Sequence, residues 1–234
     1  TRGTRSRRAC LIRQGCQGFG QRRQVTVTKV SKSTRGRYLV YIDDRPFCPL
    51  YGAELSTYHV EPGAEITEET CETIKQEVLI KRSRLRAMNL LMKHGFTESG
   101  LRTKLAEGGY PADVVDDAVE YVKGFGYVDD KAFARDYVFS HASDKSVRRI
   151  VSDLLSKGVS QDVINEILEE NRGTSDAVDE EAQIRKLLIK RSFDPARADA
   201  RELSRTYAYL SGRGFGMDVI RKVMSGFGGI EFYE

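Results

Sequence analysis

Leu154-Leu155-Ser156-Lys157-Gly158-Val159-Ser160-Gln161-Asp162-Val163-Ile164 reads as the end of one helix, a one-residue stop and the start of the next. A glycine after an apolar helical run enters the left-handed conformation that closes a helix, because no Cβ opposes it. Val159 and Ile164 stand five residues apart, the spacing of a hydrophobic staple across a helix start. Asp162 then falls in the first turn, where a carboxylate meets free backbone N–H groups and the positive end of the helix dipole. The same punctuation recurs at identical offsets as Leu105, Gly109, Tyr110, Asp113, Val115, Ala118 and Val119, and as Leu210, Gly214, Phe215, Asp218, Ile220, Val223 and Met224. After each stop, apolar residues follow the i, i+3, i+4 spacing of one buried helix face. The copies lie about 50 residues apart, room for a third helix in each unit, and predict a helical repeat array.

Upstream the character differs. Val25 and Val27 alternate with threonines, Ser33 to Gly36 supplies turn residues, and Tyr38 to Ile42 is a β-branched and aromatic run ending at Asp43-Asp44. This predicts a hairpin or meander, extended by Phe47 to Leu50. Strands so short and few need a helical partner. Pro62-Gly63 closes the region, and Thr67 with Glu68 and Glu69 opens a long helix to about Met92. Its apolar side is expected to comprise Cys71, Ile74, Val78, Leu85, Met88 and Met92. The predicted fold is mainly α: a basic, disordered tail over 1–24, a small β-containing module over 25–65, then three tandem three-helix, helix-turn-helix-like repeats in an elongated, curved array. Their boundaries are 66–130 for the long helix with repeat 1, 131–172 for repeat 2 and 173–234 for repeat 3.

Charge narrows the function classes once it is mapped. The chain carries a formal +4, yet residues 1–24 hold seven arginines and no acid, so the remainder is net −3. Residues 85–130 hold five basic and eight acidic residues, while 131–172 and 173–234 balance. A uniformly basic nucleic-acid binder is excluded. The tail lacks the apolar core of a signal peptide, and its arginines would add nonspecific phosphate affinity. The first methionine is Met88, so Thr1 is not read as a natural start. No apolar run reaches the ~18 residues of a membrane span. The four cysteines, Cys10, Cys16, Cys48 and Cys71, form no C-x-x-C pair, and a reduced, cytoplasmic setting is expected.

Helix-turn-helix spacing invites a DNA-binding reading, but a recognition helix needs Arg, Asn or Gln toward base edges. The corresponding helices carry Asp116, Asp117 and Glu120 in the first copy and Asn165, Glu166, Glu169 and Glu170 in the second. Only the third, with Arg221 and Lys222, suits phosphate. Enzyme signatures are missing: there is no phosphate loop, dinucleotide fingerprint, H-E-x-x-H or G-x-S-x-G. His59, His94 and His141 lie in separate segments. The expectation is a protein that acts by binding, with no cofactor, metal or catalytic group.

The run Gly126-Tyr127-Val128-Asp129-Asp130-Lys131-Ala132-Phe133-Ala134, with Thr97 to Leu105 before it and Leu155-Ser156-Lys157-Gly158-Val159 after it, resembles the bacterial RecX regulators of the recombinase RecA. Leu210-Ser211-Gly212-Arg213-Gly214-Phe215 is similar to that family's third repeat, and coverage runs from about residue 25 to the end. Gly100 and Ser146 depart from the family pattern, where a glutamate and a glycine are usual. The resemblance implies a monomeric modulator that binds the RecA filament on single-stranded DNA, lies in its groove, and restrains ATPase, strand exchange and co-protease activity in DNA repair and the SOS response. Weak nonspecific DNA contact would accompany this. The alternative is a helix-turn-helix-type DNA-binding regulator acting through the basic tail and third repeat; a scaffold for another partner is a third reading.

Much of that signature has a structural explanation. Asp129 sits as an N-cap between Val128 and Phe133 at staple spacing, and Tyr127, Phe133 and Tyr137 fit core positions at helical spacing. Partner-binding candidates are instead charges that no core needs. Arg197, Arg201 and Arg205 recur at i, i+4, i+8 and predict one helical stripe. Lys145, Arg148, Arg149 and Lys157 cluster in the second repeat. Arg185, Lys186, Lys190 and Arg191 form a third group, and Arg213 completes the set.

Overall fold

The computed structural model describes residues 23–33, 36–174, 177–194 and 197–226, and the chain divides into two compact units, Thr1–Lys75 and Gln76–Glu234. The tail expected over residues 1–24 lies almost wholly outside the described residues.

The first unit holds β1 (Gln24–Lys32), β2 (Arg37–Ile42), β3 (Arg45–Tyr51), α1 (Gly52–Thr57), β4 (Glu65–Thr67) and α2 (Glu68–Ile74). The strands form one antiparallel sheet in the order β3-β2-β1-β4. Ile42 pairs with Arg45, leaving Asp43 and Asp44 as a two-residue loop with φ of 48° and 62°. Two left-handed residues give the turn whose twist matches the strands. Asp43 Oδ1 accepts from Thr26 N at 3.2 Å and Asp44 N donates to Thr28 Oγ1 at 3.1 Å, fastening the turn to β1. Pro46 and Pro49 fall on β3, an edge strand, where a missing donor is tolerated. Val27, Val40, Cys48 and Leu50 are fully buried. The expected meander is present; β4 was not foreseen, because three residues carry no readable alternation.

Thr67 caps α2, its hydroxyl accepting from Thr70 N at 3.1 Å. A π-helical turn over Lys75–Leu79 then precedes α3 (Ile80–Leu91). One extra residue in a turn rotates everything beyond it, so buried positions run Ile74, Leu79, Ser83 and Ala87. The apolar side expected from unbroken helical counting therefore fails at Leu85 and Met92, while Met88 is half-buried. Leu85 is 61% exposed and Met92 82%.

The second unit continues α3 with α4 (Glu98–Ala106) and α5 (Ala112–Gly124), then α6 (Asp130–His141), α7 (Val147–Ser156) and α8 (Gln161–Asn171), then α9 (Glu180–Lys190), α10 (Ala200–Gly212) and α11 (Met217–Gly226). These are three repeats of three helices. Gly109, Gly158 and Gly214 have φ of 85°, 85° and 93°, as the helix stops require. Val159 N reaches back to Leu154 O and Phe215 N to Leu210 O, the wrap-around bond of a left-handed helix end. All three staples close, with Tyr110 and Val115, Val159 and Ile164, and Phe215 and Ile220 buried. Asp129 accepts from Lys131 N and Ala132 N at 2.9 and 3.0 Å, confirming its capping role.

One feature of the repeats is set by residues far apart in sequence. Thr97 caps α4 by accepting from Gly100 N, and its own hydroxyl donates to Lys157 O, the C-cap of α7 in the next repeat, at 2.5 Å. Ser146 caps α7 by accepting from Arg149 N, and donates to Arg213 O, the C-cap of α10 in the repeat after, at 3.0 Å. Beside each hydroxyl a carboxylate from the next repeat takes the following backbone N–H. Asp130 Oδ1 accepts from Glu98 N and Glu180 Oε1 from Val147 N, both at 2.8 Å. The two junctions are thus built from the same four groups. Ser146, a departure from the family pattern, is a structural donor here.

Candidate functional site

The acidic residues that argued against groove reading are spent inside the repeats. Asp117 holds Arg84 through two oxygens at 2.6 and 2.8 Å, Asp116 pairs with Arg102, and Glu120 with Lys123. Glu166 and Glu170 on α8 clasp Lys131 of α6, and Glu170 also takes Arg135. On α11, Lys222 is tied to Glu181 of α9. Apart from Glu120 and Lys123, which both lie on α5, each pair holds the third helix of a repeat to an earlier one.

The cations behave differently. In repeat 2, Asp153 gathers Lys145 at 2.8 Å, Arg149 at 3.3 Å and the hydroxyl of Tyr137 at 3.0 Å, while Lys145 also donates to Tyr137 Oη at 2.7 Å. The hydrogen bond from Lys145 holds the Asp153 carboxyl below its ordinary range, and the same contact raises the Lys145 ammonium. One carboxylate therefore answers two cations. Lys157 lies over the ring of Tyr137 at 5.5 Å and of Phe133 at 6.0 Å, and the His141 ring stacks on Tyr137 with centroids 4.1 Å apart. Phe133 and Tyr137 are only partly buried, serving as core on one side and as a platform for cations on the other. Tyr127, expected as core, is 56% exposed and stacks on exposed Phe125.

Repeat 3 repeats the theme around Tyr209. The guanidinium of Arg191 lies 4.2 Å and that of Arg213 4.9 Å from its ring centroid. Arg191 also lines a shallow concavity with Arg201, Arg205 and Thr206, into which Asp199 and Glu202 project as well. Arg213 lines a second concavity with Asp144, Lys145, Arg149 and Phe215. Groups separated by up to 68 residues thereby become one basic surface spanning repeats 2 and 3, from Lys145 and Arg149 through Arg213, Tyr209 and Arg191 to Arg201 and Arg205. Among the described residues, Lys157, Arg191, Arg201, Arg205 and Arg213 have no carboxylate within ion-pair distance, and neither does exposed Arg148.

Two of the expected groupings change. Arg197 precedes Asp199, the N-cap of α10, and pairs with Asp194 at 3.4 Å. The stripe on α10 is therefore Arg201 and Arg205 alone, since capping by Asp199 starts the helix after Arg197. Arg185 pairs with Glu181 at 3.5 Å, and Lys186 lines a separate groove beside Phe139, so of the third group only Arg191 joins the surface. Sequence reading missed Tyr209, the ring that joins Arg191 to Arg213. Its one local signal is a tyrosine one turn before the cationic C-cap.

Comparison with known proteins agrees with this architecture. Residues 129–168 match the family model of the RecX second three-helix domain, and residues 179–224 that of the third. The chain is similar to the regulatory protein RecX of Chromobacterium violaceum, 32% identical over 66% of this chain and 96% of that protein. A second relative, the regulatory protein RecX of Clostridioides difficile, is 23% identical over 85% of this chain and 94% of its own. Two crystal structures share the fold. A regulatory protein RecX has a TM-score of 0.56 at 22% identity, over 86% of this chain and 99% of that one. RecX from Lactobacillus salivarius has a TM-score of 0.54 at 19% identity, over 65% and 98%.

Proposed function

Because the chain belongs to the RecX family, we propose that it regulates the recombinase RecA by binding its filament on single-stranded DNA, restraining ATP hydrolysis, strand exchange and co-protease activity. The observation that carries this reading is the basic surface joined by Tyr209 across repeats 2 and 3, in which Arg191, Arg201, Arg205 and Arg213 have no carboxylate within ion-pair distance among the described residues. Such a surface fits acidic protein or phosphate. A body of several repeats that engages two neighbouring protomers gains effective concentration at its second contact, and so prefers filament over free subunit. Occupying the filament biases it between states to the extent that affinity differs between those states.

The test is ATP hydrolysis by the cognate RecA on single-stranded DNA, titrated with this protein at several salt concentrations. Saturable inhibition, at concentrations well below those needed to bind bare DNA, is the expected result. Unchanged hydrolysis by assembled filaments in the presence of folded protein would remove the inhibitory reading.

A further inference from the structure

α3 turns its small residues inward and its large apolar ones outward. Ser83 and Ala87 are fully buried in a helix that packs against α5. Ser83 Oγ donates to Ile80 O at 2.9 Å and to Val114 O of α5 at 3.5 Å. On the other side of the helix Leu85 and Met92 are exposed and Met88 is half-buried. These three stand at i, i+3 and i+7, the spacing of a coiled-coil seam. With 3.6 residues per turn they fall within an arc of about 60°, nearly opposite Ser83 and Ala87. Met92, the C-cap, keeps the helical bond to Met88 O at 2.9 Å, so the seam runs unbroken to its end. Single exposed apolar residues are ordinary; a seam at helix-packing spacing, opposite the face that already packs, is a second helix-binding face.

Charge decides what covers it. α3 carries Lys81, Arg82, Arg84 and Arg86 and no acid, and Lys93 follows Met92. Asp117 answers Arg84. Lys81, one turn before Leu85, and Lys93 are exposed and have no carboxylate within ion-pair distance among the described residues. Between residues 76 and 94 the chain holds those five cations and one acid, Glu77. The geometry points to this face as a docking site for an acidic amphipathic helix of a partner protein. The apolar residues of that helix, at the same seven-residue repeat, interlock with Leu85, Met88 and Met92 across about 8–10 Å between axes, and its carboxylates meet Lys81 and Lys93. A second copy of α3 would set cation against cation, and phosphate gains nothing from an apolar seam. The face belongs to repeat 1, so the assignment goes beyond the filament reading and does not depend on it.

The experiment is fluorescence anisotropy with the full chain and a fluorescein-labelled three-heptad peptide. It has leucine at the seam positions and glutamate at the flanking ones, and the glutamates keep it from pairing with itself. Saturable binding is expected, weakened about tenfold or more by Leu85→Glu/Met92→Glu and about threefold or more by Lys81→Glu/Lys93→Glu. Arg201→Glu/Arg205→Glu should leave it unchanged, which separates this face from the basic surface joined by Tyr209. All these positions are exposed, and circular dichroism checks that each variant is folded. Absence of saturable binding would overturn the proposal, as would undiminished binding by Leu85→Glu/Met92→Glu or equal binding of the same peptide with lysine in place of glutamate. Dimerisation of the parent in sedimentation velocity, or cosedimentation with phosphatidylserine vesicles, if lost in Leu85→Glu/Met92→Glu, would assign the face to a second copy or to lipid and overturn it too.

Discussion

The hydroxyl of Ser146 donates to the main-chain carbonyl of Arg213 at 3.0 Å, joining the start of α7 to the end of α10 in the following repeat. Thr97 and Lys157 make the same bond one junction earlier. The hydroxyl serves two neighbours at once, as acceptor for its own helix N-terminus and as donor to the next repeat. Removing it should therefore affect more than a cap.

Ser146→Ala is expected to lower stability by about 1–2 kcal/mol, combining a lost N-cap with a part-buried carbonyl that loses its donor. Ser146→Thr, which installs the residue used at the first junction, should recover most of it. Urea denaturation of both variants measures the effect. Gly214→Ala should be harmful at the same place, because φ is 93° and a Cβ would stand 2.6 Å from Ser146 Oγ. Alanine as stable as the parent at either site would show that the junction contributes little.

Arg201→Glu/Arg205→Glu should leave thermal unfolding nearly unchanged, since exposed substitutions usually alter stability by less than about 0.5 kcal/mol. It should raise the concentration needed for half-inhibition of RecA about tenfold or more. Overlapping inhibition curves for the variant and the parent protein would detach this surface from the filament.

Asp153 gives an acid-dependent prediction. Its pKa is lowered below the ordinary 3.8, first by the hydrogen bond from Lys145. A depressed carboxylate stabilises the fold above its unfolded-state pKa, and that contribution fades as pH falls through the folded-state value. Lys145→Met should accordingly be less stable than the parent at neutral pH, with the gap closing below about pH 4. Denaturation at a series of pH values reads the gap directly. A difference that persists undiminished into acid would mean that Lys145 acts through packing rather than charge.

Ser192 occupies the position that closes α9, with φ of 51°. Phe193 N reaches back to Leu188 O at 3.0 Å, the same wrap-around bond that the glycine-terminated helices make. A side chain in the left-handed region costs energy that glycine does not incur, partly offset by the greater freedom of glycine in the unfolded chain. Ser192→Gly is expected to gain about 0.5–1 kcal/mol, visible as a higher melting temperature. A loss on substitution would show that the serine side chain contributes something its backbone angle does not reveal.

Legibility in the sequence followed the range of each interaction. Gly109, Gly158 and Gly214, their staples and the cap at Asp129 involve residues within six positions of one another, so a short window contains both partners. The helical period around Leu85 and Met92 misled because the π turn over Lys75–Leu79 leaves no pattern in composition, yet shifts every later position. Arg197 was assigned to a helix on spacing alone, although Asp199, a strong cap, marks where α10 begins. Most of the twelve proposed partner-binding residues were grouped by nearness in sequence. Folding separates Lys186 from Arg191 and brings Arg191 to Arg213.

The sequence by itself determined where helices stop and restart, because left-handed glycines, capping side chains and staples act within a turn or two of the chain. That was enough to mark three repeats and the family they resemble. Only the tertiary structure decided that Thr97 and Ser146 join successive repeats, that Tyr209 brings Arg191 to Arg213, and that Gln183 keeps a buried oxygen without a partner. Each depends on at least one contact between groups 18 to 67 residues apart, and such meetings are fixed by how whole helices pack, which no local spacing records.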